Sequence, residues 1–174
     1  MPAILTGQPN EKDILLSNLE FARERTMQML EDIRKEFGLG PDILAWRPND
    51  KAHNIGWLIG HIGGSEWSMA NRMNALVKKP SIGRDDFWEN YVFGTHPSAN
   101  YPDIQQFLDG MAQVRVHIKD VLRSSSFALM DTPIMTTPVF GTWTMRFAFQ
   151  MMPMHENFHM GEVRYIHKYL LPKK

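Results

Sequence analysis

The segment His155-Glu156-Asn157-Phe158-His159 places two histidines at positions i and i+4. On an α-helix that spacing puts both imidazoles on one face about a turn apart, so both rings can reach one ion. Two imidazoles are half of a metal site. Catalytic zinc-type centres use three protein ligands and keep a further position open for water or substrate. The third ligand must come from another part of the chain, and His61 is the best supplier. It lies beside Leu58 and Ile62 on the inward side of a second helical pattern. A polar ring is costly to bury without a partner. The three histidines therefore either meet at an ion or each find a separate hydrogen bond.

Four amphipathic patterns supply the elements that must position these rings. In the first, Leu15, Leu19, Ala22, Thr26, Met29, Leu30, Ile33 and Phe37 recur at steps of three and four, the mark of one helical face. Asn10 followed by Asp13 resembles a capping box ahead of it. Gly38 reads as an αL C-cap and Gly40-Pro41 as a break. A second helix is expected from Asn49 or Asp50 to about Val77, with Ile55, Leu58, Ile59, Ile62, Met69, Met73 and Leu76 on its apolar face. Gly56, Gly60, Gly63 and Gly64 are poor helix formers and indicate close approach by a neighbour, a packed helix being the simplest.

The pattern lapses between Lys79 and Tyr101, where Pro80, Gly83, Gly94 and Pro97 punctuate the chain. A connection of that length is unusual in a compact domain and is often functional. It is expected to cover the site as a lid or to pack against a second subunit. A third helix follows Pro102, carrying Ile104, Phe107, Leu108, Met111, Val114, Ile118, Val121 and Leu122 in phase. Ser124 to Gly141 reads as a second loop in which Ile134, Val139 and Phe140 form a short extended piece at most. The last helix is expected from about Thr142 to Leu170, with Pro153 inside it kinking the axis. Four helices with two long connections make an all-α four-helix bundle, and 174 residues fit one domain.

Composition narrows the functions. Lys plus Arg and Asp plus Glu each number 19, a balance that does not suggest a basic patch for nucleic acid or an anionic membrane but excludes nothing locally. The absence of cysteine excludes disulfides, thiolate ligands and a cysteine nucleophile. Any thiol in the chemistry must arrive as a co-substrate. Met1 to Asp13 lacks the basic-then-apolar order of a signal peptide, and no apolar run approaches the ~20 residues of a membrane span. A soluble cytoplasmic protein is the default expectation.

The run Trp46-Arg47-Pro48, continuing through Asn54-Ile55-Gly56-Trp57-Leu58-Ile59-Gly60-His61-Ile62 to Glu66, resembles the first motif of the DinB-like family (DinB/YfiT, with bacillithiol transferase-like members). There a W-x-P run leads into a helix carrying one metal-binding histidine. The stretch from His155 to Val163, with Gly161 two residues after His159, is similar to the second motif, H-E-x-x-H-x-G. The resemblance implies a four-helix bundle with a three-histidine site for zinc, nickel or a similar ion on His61, His155 and His159, often as a homodimer. Some members transfer low-molecular-weight thiols such as bacillithiol, mycothiol or glutathione to small-molecule substrates.

The same H-E-x-x-H spacing occurs in zincin proteases, where the glutamate is a general base and a third ligand usually lies downstream. Here His167 lies ~12 Å further along the helix axis than His159, and the upstream His61 suits the resemblance better. Glu156 is read as an ion-pair partner beside the site, with a catalytic role the alternative. His53, His117 and His167 are not expected to be ligands. His96 is the exception, because the long connection can bring it to the site as a second catalytic candidate. Arg72, Arg146 and Arg164 are candidate anion contacts or simply solvated. The 13 methionines, Met151, Met152, Met154 and Met160 among them, read as core filler.

Two functions follow. One is a metal-dependent enzyme, a thiol S-transferase or a related hydrolase. The other is a non-catalytic, metal-stabilised module that binds a ligand or partner.

Overall fold

Asn10 opens the first helix, α1 (Glu11–Phe37), its side chain accepting from the Asp13 backbone N–H at 3.2 Å. Glu11 and Asp13 occupy the first turn and Arg34 and Lys35 the last, each sign at the dipole end that favours it. The computed structural model describes residues 10–83, 85–98, 100–138 and 141–169. Leu15, Leu19, Ala22, Thr26, Leu30 and Ile33 are buried as their spacing predicts. Gly38 caps the helix at φ 79°, ψ 173°, a positive-φ conformation with ψ outside the αL region expected for it. Pro41 does more than break the chain. It starts a short helix, α2 (Pro41–Ala45), at the N-terminal position where its missing N–H costs nothing.

The next long helix begins later than the sequence pattern indicates. Asn49 accepts from the backbone N–H groups of Lys51 and Ala52, closing a local turn that competes with helix. Helix α3 (Ile55–Leu76) is capped by Asn54, whose side chain accepts from Trp57 N–H at 2.9 Å. The Lys79–Tyr101 connection holds a helical turn, α4 (Asp85–Trp88), and a 3-10 turn (Glu89–Tyr91). Helix α5 (Ile104–Ser124) follows with Phe107, Met111, Val114, Ile118, Val121 and Leu122 buried and Ile104 and Leu108 partly so. The second loop contains α6 (Phe127–Met130) and an antiparallel hairpin, β1 (Pro133–Thr137) with β2 (Gly141–Thr144). Ile134 lies in β1, while Val139 and Phe140 fall outside the described residues. The strand takes Thr142 and Thr144, so α7 (Met145–Tyr169) starts at Met145 and runs through Pro153; Leu170 is outside the described residues.

The protein is mostly helical. Helix α1 packs on α7, α3 packs on both α5 and α7, and α1 meets α5. At the centre of these four helices lies a closed ring of charge. Arg23 of α1 reaches Glu66 of α3 at 2.9 Å and Glu156 of α7 at 2.8 Å. Arg115 of α5 reaches Glu156 at 2.8 Å and also pairs with Glu66. Thr26 donates to Glu156 at 2.7 Å, and Arg115 also donates to the Leu19 carbonyl. Both carboxylates are at most 2% exposed.

Three of the α3 glycines, Gly56, Gly60 and Gly63, face aromatic rings, and Gly64 faces the Trp88 and Tyr91 backbone. A Cβ on Gly56 would lie 2.7 Å from the Tyr101 ring, one on Gly60 2.4 Å from Tyr91, and one on Gly63 2.4 Å from Trp88. The long connection therefore lies along α3, with Trp88, Tyr91 and Tyr101 buried against its glycines. Gly161 in α7 is the opposite case, since a Cβ there would meet nothing within 4 Å.

Among the described residues no helix is long and apolar enough to cross a membrane. Two outcomes are expected in denaturant unfolding. Arg115→Met, which takes one of two arginine partners from each of two buried carboxylates, costs about 3–5 kcal/mol. Gly60→Ala costs about 1–3 kcal/mol from overpacking against Tyr91, whereas Gly161→Ala stabilises by up to about 1 kcal/mol.

Candidate metal centre

His61 faces inward because it shares the α3 surface with Leu58 and Ile62, both fully buried. His155 and His159 meet it from α7, one turn apart. One ring nitrogen from each histidine lies within 4.8 Å of the other two. The ring centroids are 4.9 Å apart for His61 and His159, 5.1 Å for His61 and His155, and 4.5 Å for the α7 pair. His61 and His159 are buried, and His155 keeps partial exposure.

Outer partners fix which nitrogen His61 and His159 turn to the cluster. His61 Nδ1 lies 2.7 Å from the Tyr91 carbonyl, which only accepts, so Nδ1 carries the proton and Nε2 is bare. His159 Nδ1 lies 2.6 Å from a Glu162 carboxylate oxygen, with the same consequence. Its Nε2 approaches His155 Nε2 at 3.1 Å. Two nitrogens on one tetrahedral zinc-like ion, each about 2.0–2.1 Å from it, would stand roughly 3.3 Å apart. The donor set fits a divalent transition metal.

Electrostatics keep His61 and His155 neutral, the form that binds metal. Burial pushes the His155 pKa down to about 3, with His159 and His61 adding repulsion. Burial likewise lowers that of His61, against the Tyr91 hydrogen bond. The Glu162 carboxyl is held below its ordinary value, first by the hydrogen bond from His159. The ring plane of His61 is held by a stack in which Trp57 lies 4.5 Å away at 8°, with His53 on its far side at 4.1 Å. Trp57 is itself tied to Thr95 at 3.1 Å.

The other candidates lie apart from the cluster. Glu156 turns into the charge ring, where burial opposes its ionisation and Arg23, Arg115 and Thr26 outweigh it, so its carboxyl lies below its ordinary value. His96 and His117 are exposed and outside the cluster. His167 pairs with Glu36 at 2.7 Å. Arg146 pairs with Asp131 at 2.7 Å and also with Glu11, while Arg72 and Arg164 are exposed. Met152 and Met160 are core, but Met154 is 61% exposed.

Sequence reasoning missed Arg23, Arg115 and the tie of Glu162 to both His159 and His53. A signal existed for the arginines. Arg23 stands four residues after Leu19, and Arg115 four after Met111, each in phase with a buried face. No such signal marks the Tyr91 carbonyl, because a backbone acceptor has no residue type.

Fold and site together define a helical protein with an inward three-histidine cluster. The DinB superfamily model matches residues 18–163, and the chain belongs to that family. A conserved protein from Enterococcus faecalis has a similar solved structure, with a TM-score of 0.69 at 12% identity, covering 92% of this chain and 97% of that one. At that identity the likeness concerns the fold. No curated protein matches the sequence.

The low His155 pKa predicts an acid-labile fold. Between pH 6.5 and about 3 the unfolded chain binds a proton that folded His155 does not, so stability is lost as pH falls through that window. The slope for one such group is about 1.4 kcal/mol per pH unit. In metal-free protein, urea midpoints from pH 7 to pH 4 should fall less steeply for His155→Leu than for the parent. Equal slopes would show that His155 titrates normally.

Proposed function

We propose that His61, His155 and His159 hold one divalent transition metal, zinc or nickel, in a single-domain four-helix bundle of the DinB-like kind. In this reading the centre serves an enzyme, a low-molecular-weight-thiol S-transferase or a related hydrolase. The observation that carries it is the convergence of three ring nitrogens from two helices, with bare Nε2 atoms on His61 and His159. Three neutral imidazoles leave a bound ion its positive charge, which lowers the pKa of a water or thiol toward neutrality.

The protein's own residues prepare that role. Tyr91 and Glu162 hold the Nδ1 protons, so neither ring must change tautomer to bind. The partial exposure of His155 leaves an approach from solvent. The chain has no cysteine, so the thiol comes from solution. A cytoplasmic homodimer acting on a small molecule belongs to the same reading.

Elemental analysis of tag-free protein tests it. About one equivalent of zinc or nickel is expected in the parent, falling at least tenfold in the His155→Ala, His159→Ala double variant. A folded parent that holds no metal and refuses added zinc and nickel would sink the reading.

A further inference from the structure

His53 stands one residue ahead of Asn54, the cap of α3, and its ring folds back over the first turn of that helix. The ring lies on Trp57 at 4.1 Å and 20°, and the far face of Trp57 lies on His61 at 4.5 Å and 8°. His53 Nδ1 is 3.5 Å from one oxygen of Glu162, whose other oxygen accepts from His159 at 2.6 Å. One side chain therefore touches the support of a ligand on α3 and the support of a ligand on α7.

The two contacts matter differently. His61 is already held twice, by the Trp57 face and by the Tyr91 carbonyl at its Nδ1. The Nδ1 proton of His159 rests on Glu162. That glutamate is a long, flexible side chain, 37% exposed, and Lys51 lines the same cleft. A carboxylate held by His159 alone has water and an ammonium to turn toward. His53 supplies its second point of attachment. At 3.5 Å the contact is long for a hydrogen bond. The stack on Trp57 compensates, because a ring already fixed has little rotamer freedom left to lose and presents its N–H in one direction.

We infer that His53 is a positioning residue of the histidine centre: it holds the Glu162 carboxylate against His159 Nδ1 and so keeps Nε2 of that ring bare and turned to the cluster. Outer partners of a ligating histidine fix its tautomer and ring orientation, and their loss costs roughly 10–100-fold in metal affinity. The route runs through the carboxylate, and the stack on Trp57 serves to aim the His53 ring. This assignment rests on the metal-centred reading of the three histidines, and its test separates the two.

Two variants of the full chain divide the contacts of His53. His53→Asn sets an amide N–H where Nδ1 stands and gives up the stack, whereas His53→Phe keeps a ring on Trp57 and gives up the N–H. Zinc affinity is measured by competition with a chromophoric chelator. The His159 tautomer is read separately, by imidazole nitrogen NMR of metal-free protein at neutral pH. His53→Phe is expected to bind zinc about tenfold more weakly than the parent, and His53→Asn to stay within about threefold of it. Metal-free His53→Phe should populate the Nε2-protonated form of His159, while His53→Asn keeps the Nδ1-protonated form. In a Glu162→Gln background, His53→Phe should cost nothing further, since its route is already cut. The opposite ranking, affinity kept by Phe and lost by Asn, would overturn the assignment and leave His53 as packing on Trp57. Unchanged affinity and tautomer in both variants would overturn it too. A parent that refuses zinc yet shows the tautomer pattern would remove the metal reading and leave His53 positioning His159. Zinc uptake that is indifferent to His53 would do the reverse.

Discussion

The ring of Arg23, Glu66, Arg115 and Glu156 draws one charge from each of the four long helices, and the signs alternate around it. Each carboxylate touches both arginines, so no charge is left facing hydrocarbon. Burying an ion costs several kcal/mol, offset only when geometry and hydrogen bonds are both good. Three helices brought together without the fourth would leave two ions of the ring each short of one partner. The constraint therefore acts on the rotation and height of all four helices at once, which nonpolar packing alone specifies loosely. Glu156 lies between the two α7 histidines in sequence. Fixing its side chain against Arg23 and Arg115 also sets the direction in which His155 and His159 point.

A second constraint aims His61. The connection between α3 and α5 lies along α3 because the glycines there remove the side chains that would hold its rings away. Tyr101 donates to Asn54, the α3 cap, at 2.7 Å, and the connection is thereby tied at its far end. Seating Tyr91 over Gly60 places its carbonyl against His61 Nδ1. The glycines lower helix propensity and, through that contact, orient the ring one residue beyond Gly60.

The site that results is electrically economical. Two of its rings donate outward to a carbonyl and a carboxylate, burial holds His61 and His155 in the neutral form, and the bare nitrogens converge. The chain belongs to the DinB superfamily and shares its fold with the Enterococcus faecalis protein. At 12% identity the two chains share an architecture, and function is decided by side chains at the site.

Local regularity made much of this legible in one dimension. The periodicity of Leu15 to Ile33 and of Phe107 to Leu122 determined the helices and their buried faces, because a helical face repeats at three and four residues whatever surrounds it. The i, i+4 spacing of His155 and His159 determined their shared direction for the same reason, and the phase of His61 with Leu58 determined that it turns inward. Where local signals compete, the boundaries moved: Asn49 closed its own turn and delayed α3 to Ile55, and strand pairing at Thr142 and Thr144 delayed α7 to Met145. Only the tertiary structure decided that Glu156 belongs to a charge ring and that Tyr91 orients His61. These depend on atoms 133, 41 and 30 residues apart in sequence. Periodicity shows which way a side chain points on its own helix, but the partner waiting there is set by how the helices pack.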